Sequence, residues 1–234
     1  MYLDPLQYLF NINKPDITKV KGITSGELCV AVVLNNNNIG ACASLNNKFT
    51  VDRVALVEPD FAKPNHRAVL IAYYNAYYNY DHAVVADHDI MEEVDFTSFK
   101  KIVMIGNFRP LIKKFNAMGV NLNVFDLEND DAYLIDIKLQ KEYILAADAL
   151  IVTATTLLNN TFSDIIAHTN DNCKVYILGP STIVSTELFT FKNVVKVFGA
   201  VFTDAAKVIS LIERGGSIKD CLSYGKKVSL SSSK

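Results

Sequence analysis

The sequence predicts an α/β chain: a small α+β unit over residues 1–90, then a larger unit over residues 91–234 in which a parallel sheet is wound with helices. Three observations carry that expectation. After residue 96, five apolar runs of strand length alternate with stretches of helical periodicity. Those runs are rich in Val, Ile and Leu without polar alternation, as in strands covered on both faces. Before residue 90 the pattern differs: two apolar, strand-like runs flank four consecutive asparagines, and an alanine-striped helix follows. The second unit is therefore expected to be a Rossmann-like parallel-sheet domain.

In the first unit, the runs Glu27 to Leu34 and Ile39 to Leu45 read as a hairpin closed by Asn35 to Asn38, because asparagine tolerates positive φ and bonds its own backbone. From Asn65 to about Tyr80 a helix is expected, with Ala68, Ala72 and Ala76 forming a smooth stripe for close packing. Tyr73, Tyr74, Tyr77 and Tyr78 flank the stripe and read as core and partner surface rather than as a ligand-stacking box. Asp81 to Asp95 is an acidic connection in which His82, Asp87, His88 and Asp89 are candidate metal ligands without a recognised spacing; it reads first as a solvated linker.

In the second unit the strands are read at Lys101 to Gly106, Leu122 to Asp126, Ala149 to Thr153, Lys174 to Leu178 and Val194 to Gly199. Helices are read from Pro110 to Met118, stopped by Gly119, near Phe162 to His168, and after Asp204.

Composition limits the function. A chain of 234 residues that is 50% hydrophobic folds with about 70% of its surface buried and needs no staples. A net charge of −2 gives no basic excess to neutralise phosphates, so no nucleic-acid partner is expected. No apolar run reaches the roughly 18 residues of a membrane span. Residues 1–5 carry no basic segment leading into an apolar core, so a cytoplasmic location is expected. Cys29, Cys42, Cys173 and Cys221 stand far apart, without C-x-x-C, and read as buried free thiols.

In an open parallel sheet, ligands bind at the carboxyl ends of the strands where the strand order reverses. The polar residues gather at those ends: Gly106, Asn107 and Arg109; Asp126; Thr153, Thr155, Thr156, Asn159, Asn160 and Thr161; Gly179, Pro180 and Ser181. Gly106 permits a tight turn, the start of the Pro110 helix offers N–H groups to an anion, and Arg109 adds a forked cation. Asp126 stands where an acidic residue accepts hydrogen bonds from ribose hydroxyls. Asn160 or Thr161, and Ser181 or Thr182, also suit simple helix capping. The G-x-G-x-x-G fingerprint is absent, since Phe108 takes the place of its second glycine. No nucleophile motif identifies a catalytic residue.

Taken together, Ile105 to Leu111, Val124 to Asp126, Thr153 to Thr161, Gly179 to Ser181 and Gly215-Gly216 resemble the putative heavy-metal chelation family, a domain of unknown function. Ala154 and Asn160 stand where that family often has glycine. The first unit resembles the family's enolase-N-terminal-like domain, through Ile39-Gly40 and Ala72 to Ala76. The resemblance implies a cleft between the two domains that holds a metal or metal complex, a divalent ion as the implied cofactor, a homodimer, and a link to anaerobic cobalamin synthesis. Asp126, Glu58 or a histidine are the metal ligands to consider. The fold edge by itself suggests another role, an enzyme or sensor binding a nucleoside-bearing or phosphorylated metabolite; a purely structural partner protein is the third class.

Overall fold

The computed structural model describes residues 3–81, 89–127 and 131–233. The first 81 residues form α1 (Pro5–Ile12), strands β1 (Val20–Ser25), β2 (Cys29–Leu34) and β3 (Ile39–Ala43), and helices α2 (Val54–Val57) and α3 (Pro64–Tyr78). The strands pair antiparallel in the order β1-β2-β3. The asparagines close the β2–β3 turn: Asn37 has a φ of 65°, and the Asn38 N–H donates to the Asn36 side chain at 3.0 Å.

Helix α3 lies on β2 and β3 through the alanine stripe, whose three members are fully buried. Gly40 makes that approach possible, because a Cβ there would collide with the Ala72 carbonyl and the Ala76 amide. Tyr73 and Tyr74 are core residues. Their hydroxyls are used by the chain's own N-terminal segment: Tyr73 accepts from the Asp16 N–H at 3.0 Å, and Tyr74 donates to the Asn13 carbonyl at 2.9 Å. That half of the tyrosine cluster is covered from within and presents no ring to a partner.

The second sheet contains β4 (Ile102–Ile105), β5 (Leu122–Phe125), β6 (Ala149–Thr153), β7 (Lys174–Leu178), β8 (Val194–Phe202) and β9 (Gly225–Ser231), in the order β5-β4-β6-β7-β8-β9. The helices are α4 (Ile90–Glu93), α5 (Arg109–Ala117), α6 (Gln140–Ala146), α7 (Thr155–Leu158), α8 (Phe162–Ala167), α9 (Ala205–Glu213) and α10 (Ile218–Cys221). Five strands are parallel as expected, and β9 adds an antiparallel edge. β8 runs past Gly199 because Ala200 to Phe202 pair with Lys227 to Gly225 of β9.

The missing alternation in the strands has its cause in the packing. Leu150 and Val152 of β6 face an apolar cluster that also holds Val32 of the first sheet and Leu70 and Tyr74 of α3, whereas Ala149 and Ile151 face Phe96, Met104 and Phe115 on the other side. A buried polar clamp joins the end of α3 to the second sheet. The Asn79 amide donates to the Thr182 and Ala200 carbonyls, both at 3.0 Å, and accepts from the Val184 N–H at 2.7 Å.

His82, Asp87 and His88 lie outside the described residues. The end of the acidic stretch is docked rather than solvated: Asp89 caps α4 and pairs with Lys114, and Glu93 pairs with Lys196 at 2.6 Å and accepts from the Ser229 hydroxyl. No helix among the described residues is long and apolar enough to cross a membrane.

Candidate functional site

The chain passes from β4 out to β5 and then back across to β6, so the strand order reverses between β4 and β6. A crevice opens at the carboxyl ends of those two strands. Gly106 ends β4 with a φ of 108°, and its N–H donates to the Phe125 carbonyl at 2.8 Å. A side chain there would also crowd Thr153, whose Cβ lies 2.9 Å from the Cβ position. Both the turn and the close strand ends therefore require glycine. Asp126, at the end of β5, takes the next amide: the Asn107 N–H donates to its Oδ2 at 2.8 Å. The half-buried carboxylate is thereby fixed at the mouth of the crevice.

From β6 comes a run of hydroxyls. Thr153 and Thr155 share a hydrogen bond of 3.0 Å, and Thr156 donates to the Thr153 carbonyl at 2.7 Å. The Asn159 amide oxygen accepts from the Thr161 hydroxyl at 2.7 Å, and the Thr161 N–H donates to the Thr156 carbonyl at 3.0 Å. Thr161 opens α8 without a side-chain cap, so its hydroxyl serves the loop instead. These bonds hold a cleft of about 180 Å³ between Asp126 and the threonines.

Gly106, Asp126, Thr153, Thr155, Thr156, Asn159 and Thr161 all line that cleft. So do Gln140, Asp164 and Leu45, which the sequence did not reveal as site residues. Gln140 opens a helix whose apolar pattern is too short to read, and Leu45 arrives from the first sheet with a φ of 50°. Asp126 and Asp164 are its carboxylates, Asp164 being paired with Lys141 at 3.6 Å, and no Lys or Arg is among its described lining residues. A neutral or cationic guest suits that lining.

The other expected residues lie elsewhere. The Asn107 side chain and Arg109 belong to an outer cluster: Asn107 donates to Asp131 at 2.7 Å, Arg109 Nε and an Nη to the same oxygen at 3.3 and 3.0 Å, and the Tyr133 hydroxyl to Asn107 at 2.7 Å. The Asn107 amide, then Tyr133, and with them Arg109 hold the Asp131 carboxyl below the usual carboxylate range. Asn160 takes a φ of 59°, the conformation for which glycine would otherwise be used, and faces a separate depression with Leu3 and Asp4. Ser181 is buried and accepts from the Ala43 N–H at 3.1 Å, tying β3 to the end of β7. Gly179 and Pro180 line a different groove, together with Phe108.

Nor does the start of α5 present free N–H groups to an anion. The Arg109 N–H donates to the Asn107 carbonyl at 3.1 Å, and those of Leu111 and Ile112 to the Phe108 carbonyl at 2.8 and 3.0 Å. Pro110 has no N–H to give. The anion-binding geometry that the sequence suggested is closed by the tight entry into the helix.

A soft metal ion needs thiolate or imidazole ligands in a cluster. Among the described residues no group of three or more His, Cys, Asp or Glu side chains is placed to hold a metal ion. All four cysteines are free and buried. Burial pushes the Cys42 and Cys173 thiols up to about 12 and that of Cys221 to about 11, and raises Cys29 as well. Protonated thiols are poor ligands. The cleft itself offers hard oxygens, so the described residues do not fit a directly coordinated heavy-metal ion.

Residues 89–231 match the family model DUF364, described as putative heavy-metal chelation. Among solved structures, a DUF364 protein of unknown function from Desulfitobacterium hafniense DCB-2 superposes with a TM-score of 0.79 at 16% identity, covering 99% of this chain and 100% of that one. Another DUF364 protein of unknown function, from Pyrococcus horikoshii, gives a TM-score of 0.76 at 18% identity over 91% of this chain and 93% of that one. At these identities the likeness establishes the fold. No curated protein matches the sequence.

Proposed function

The chain belongs to the DUF364 family, described as putative heavy-metal chelation, and from that premise we propose that it binds a small polar organic metabolite in the cleft between Asp126 and the Thr153 to Thr161 loop. The observation that carries this reading is the carboxylate of Asp126, held by the Asn107 amide at the point where the strand order reverses. A fixed carboxylate accepts hydrogen bonds from paired hydroxyls or from an amine. The guest is therefore neutral or cationic and rich in donors. A ribose-bearing nucleoside without phosphate, or its sulfonium form, meets that description; a nucleotide does not, because the α5 amides are already bonded and Arg109 is matched by Asp131.

Heavy-metal handling enters as cargo. The metal would arrive inside an organic complex gripped through its polar groups. For the macrocyclic complexes of anaerobic cobalamin synthesis, a cleft of about 180 Å³ admits a side group rather than the whole ring. The proposal takes the cytoplasm as the compartment, which suits four free cysteines, and a homodimer as the working unit. Light scattering that returns a monomer mass at micromolar concentration contradicts the latter.

Thermal-shift screening tests the ligand class. A nucleoside or sulfonium nucleoside at 100 times its dissociation constant stabilises the protein by about 2.7 kcal/mol. For a chain of this size the melting temperature then rises by roughly 5–11 °C. Shifts from inorganic phosphate and nucleoside triphosphates but not from nucleosides would overturn the reading.

A further inference from the structure

A second concavity lies on the other side of Phe108. This groove of about 310 Å³ runs between α5 and the β7, β8 and β9 end of the sheet, with Phe108, Leu111, Pro180 and Phe198 among its walls. It sits between the apolar cluster around Met104 and Phe115 and the one around Ala200 and Phe202. Its size falls in the range of small-molecule sites, which are mostly apolar with a few placed polar groups. The Phe108 ring reaches from Gly106 toward Gly179, within 3.4 Å and 3.8 Å of their Cβ positions. The ring thus stands between Gly106, which lines the polar cleft, and Gly179, which lines the groove.

The charges at the groove's edge are unequal. Lys114 and Lys227 both line it, against Asp89 as the one carboxylate among the described lining residues. Asp89 pairs with Lys114 and is also attracted by the exposed Lys227 on β9, so two lysines against one carboxylate leave a net positive edge beside an apolar trough. An apolar body with a single anionic group complements both features.

We propose that this groove is a second binding site, distinct from the cleft, for an aromatic carboxylate or sulfonate of two to three rings whose anionic group faces Lys227. The site stands independently of the nucleoside reading, since it shares no lining residue with the cleft.

The test uses two fluorescent probes on the full chain: the anionic 8-anilinonaphthalene-1-sulfonate and its neutral relative N-phenyl-1-naphthylamine. Both are expected to bind saturably at one site. Lys227→Glu replaces attraction with repulsion and is expected to weaken the anionic probe by roughly tenfold while leaving the neutral one within about twofold. Lys227→Gln is expected to fall between the two. Neither change touches the cleft, so any melting shift produced by a nucleoside survives in both variants and separates failure of this site from failure of the cleft. Absence of saturable binding, an equal loss for both probes, or no loss for the anionic one would overturn the proposal.

Discussion

Replacing Arg67 with methionine removes one cation from a place where four acceptor atoms converge on it. Its side chain is 2% exposed. Nε donates to the Leu157 carbonyl at 2.7 Å, one terminal nitrogen donates to Asp4 at 2.5 Å and to the Phe61 carbonyl at 3.1 Å, and the other donates to Asp4 at 3.0 Å. Methionine keeps most of the volume and none of the donors. The Asp4 carboxylate, 14% exposed, and the Leu157 and Phe61 carbonyls then lose their partner. Breaking a buried pair from one side costs about 3–5 kcal/mol, more than the pair itself is worth, because a charge stays buried. The melting temperature is expected to fall by roughly 6–20 °C, and the urea midpoint to fall with an unchanged slope. Adding Asp4→Asn to Arg67→Met removes the stranded charge, so the double variant is expected to be less destabilised than the sum of the singles. A loss under about 1 kcal/mol, or strictly additive singles, would refute the reasoning. Leu157 belongs to α7, which carries Thr155 and Thr156, so the same substitution is expected to blunt any ligand-induced shift.

Other outcomes follow from the same contacts. Gly40→Ala sets a methyl against helix backbone rather than a movable side chain, and its cost is expected at or above the upper end of the usual 1–3 kcal/mol for overpacking; urea unfolding within about 0.5 kcal/mol of the parent contradicts the packing of α3 on β3. The four thiols are expected to resist a disulfide reagent at pH 8 in the native chain and to react once it is unfolded. Their raised folded-state pKa values imply stability that is full below the unfolded thiol value and declines as pH rises toward 11–12, which melting curves from pH 8 to 11 would show as a falling midpoint. Titration of tag-free protein with cadmium or zinc ions is expected to give no stoichiometric site built from the cysteines; a thiolate-to-metal absorption band would contradict that.

Much of the fold was legible because its causes are local. The Asn35 to Asn38 turn, the alanine stripe of α3 and the unalternating strands β4 to β8 are set by residues within a few positions of one another. β1 was hidden because Gly22 and a bulge beside Val20 interrupt its pattern. β9 was hidden because Lys226 and Lys227 stand near the start of an edge strand in which only Val228 is buried. At the candidate site, the strand-end rule named Gly106, Asp126 and the threonines, which line one cleft. It had no means of showing that Ser181 would be occupied by Ala43, 138 positions away, or that the Phe108 ring would part Gly179 and Pro180 from the rest. The state of the α5 amides was equally invisible, since it depends on backbone angles at Asn107 and Phe108 rather than on residue type.

The cleft is tested most directly by a crystal structure of the chain soaked with whichever nucleoside or sulfonium nucleoside gives the largest melting shift. Density between Asp126 and Thr155, with ligand hydroxyls or amines within about 3.2 Å of the Asp126 carboxylate, is the expected result. Density bound elsewhere, with the cleft left to solvent, would contradict it.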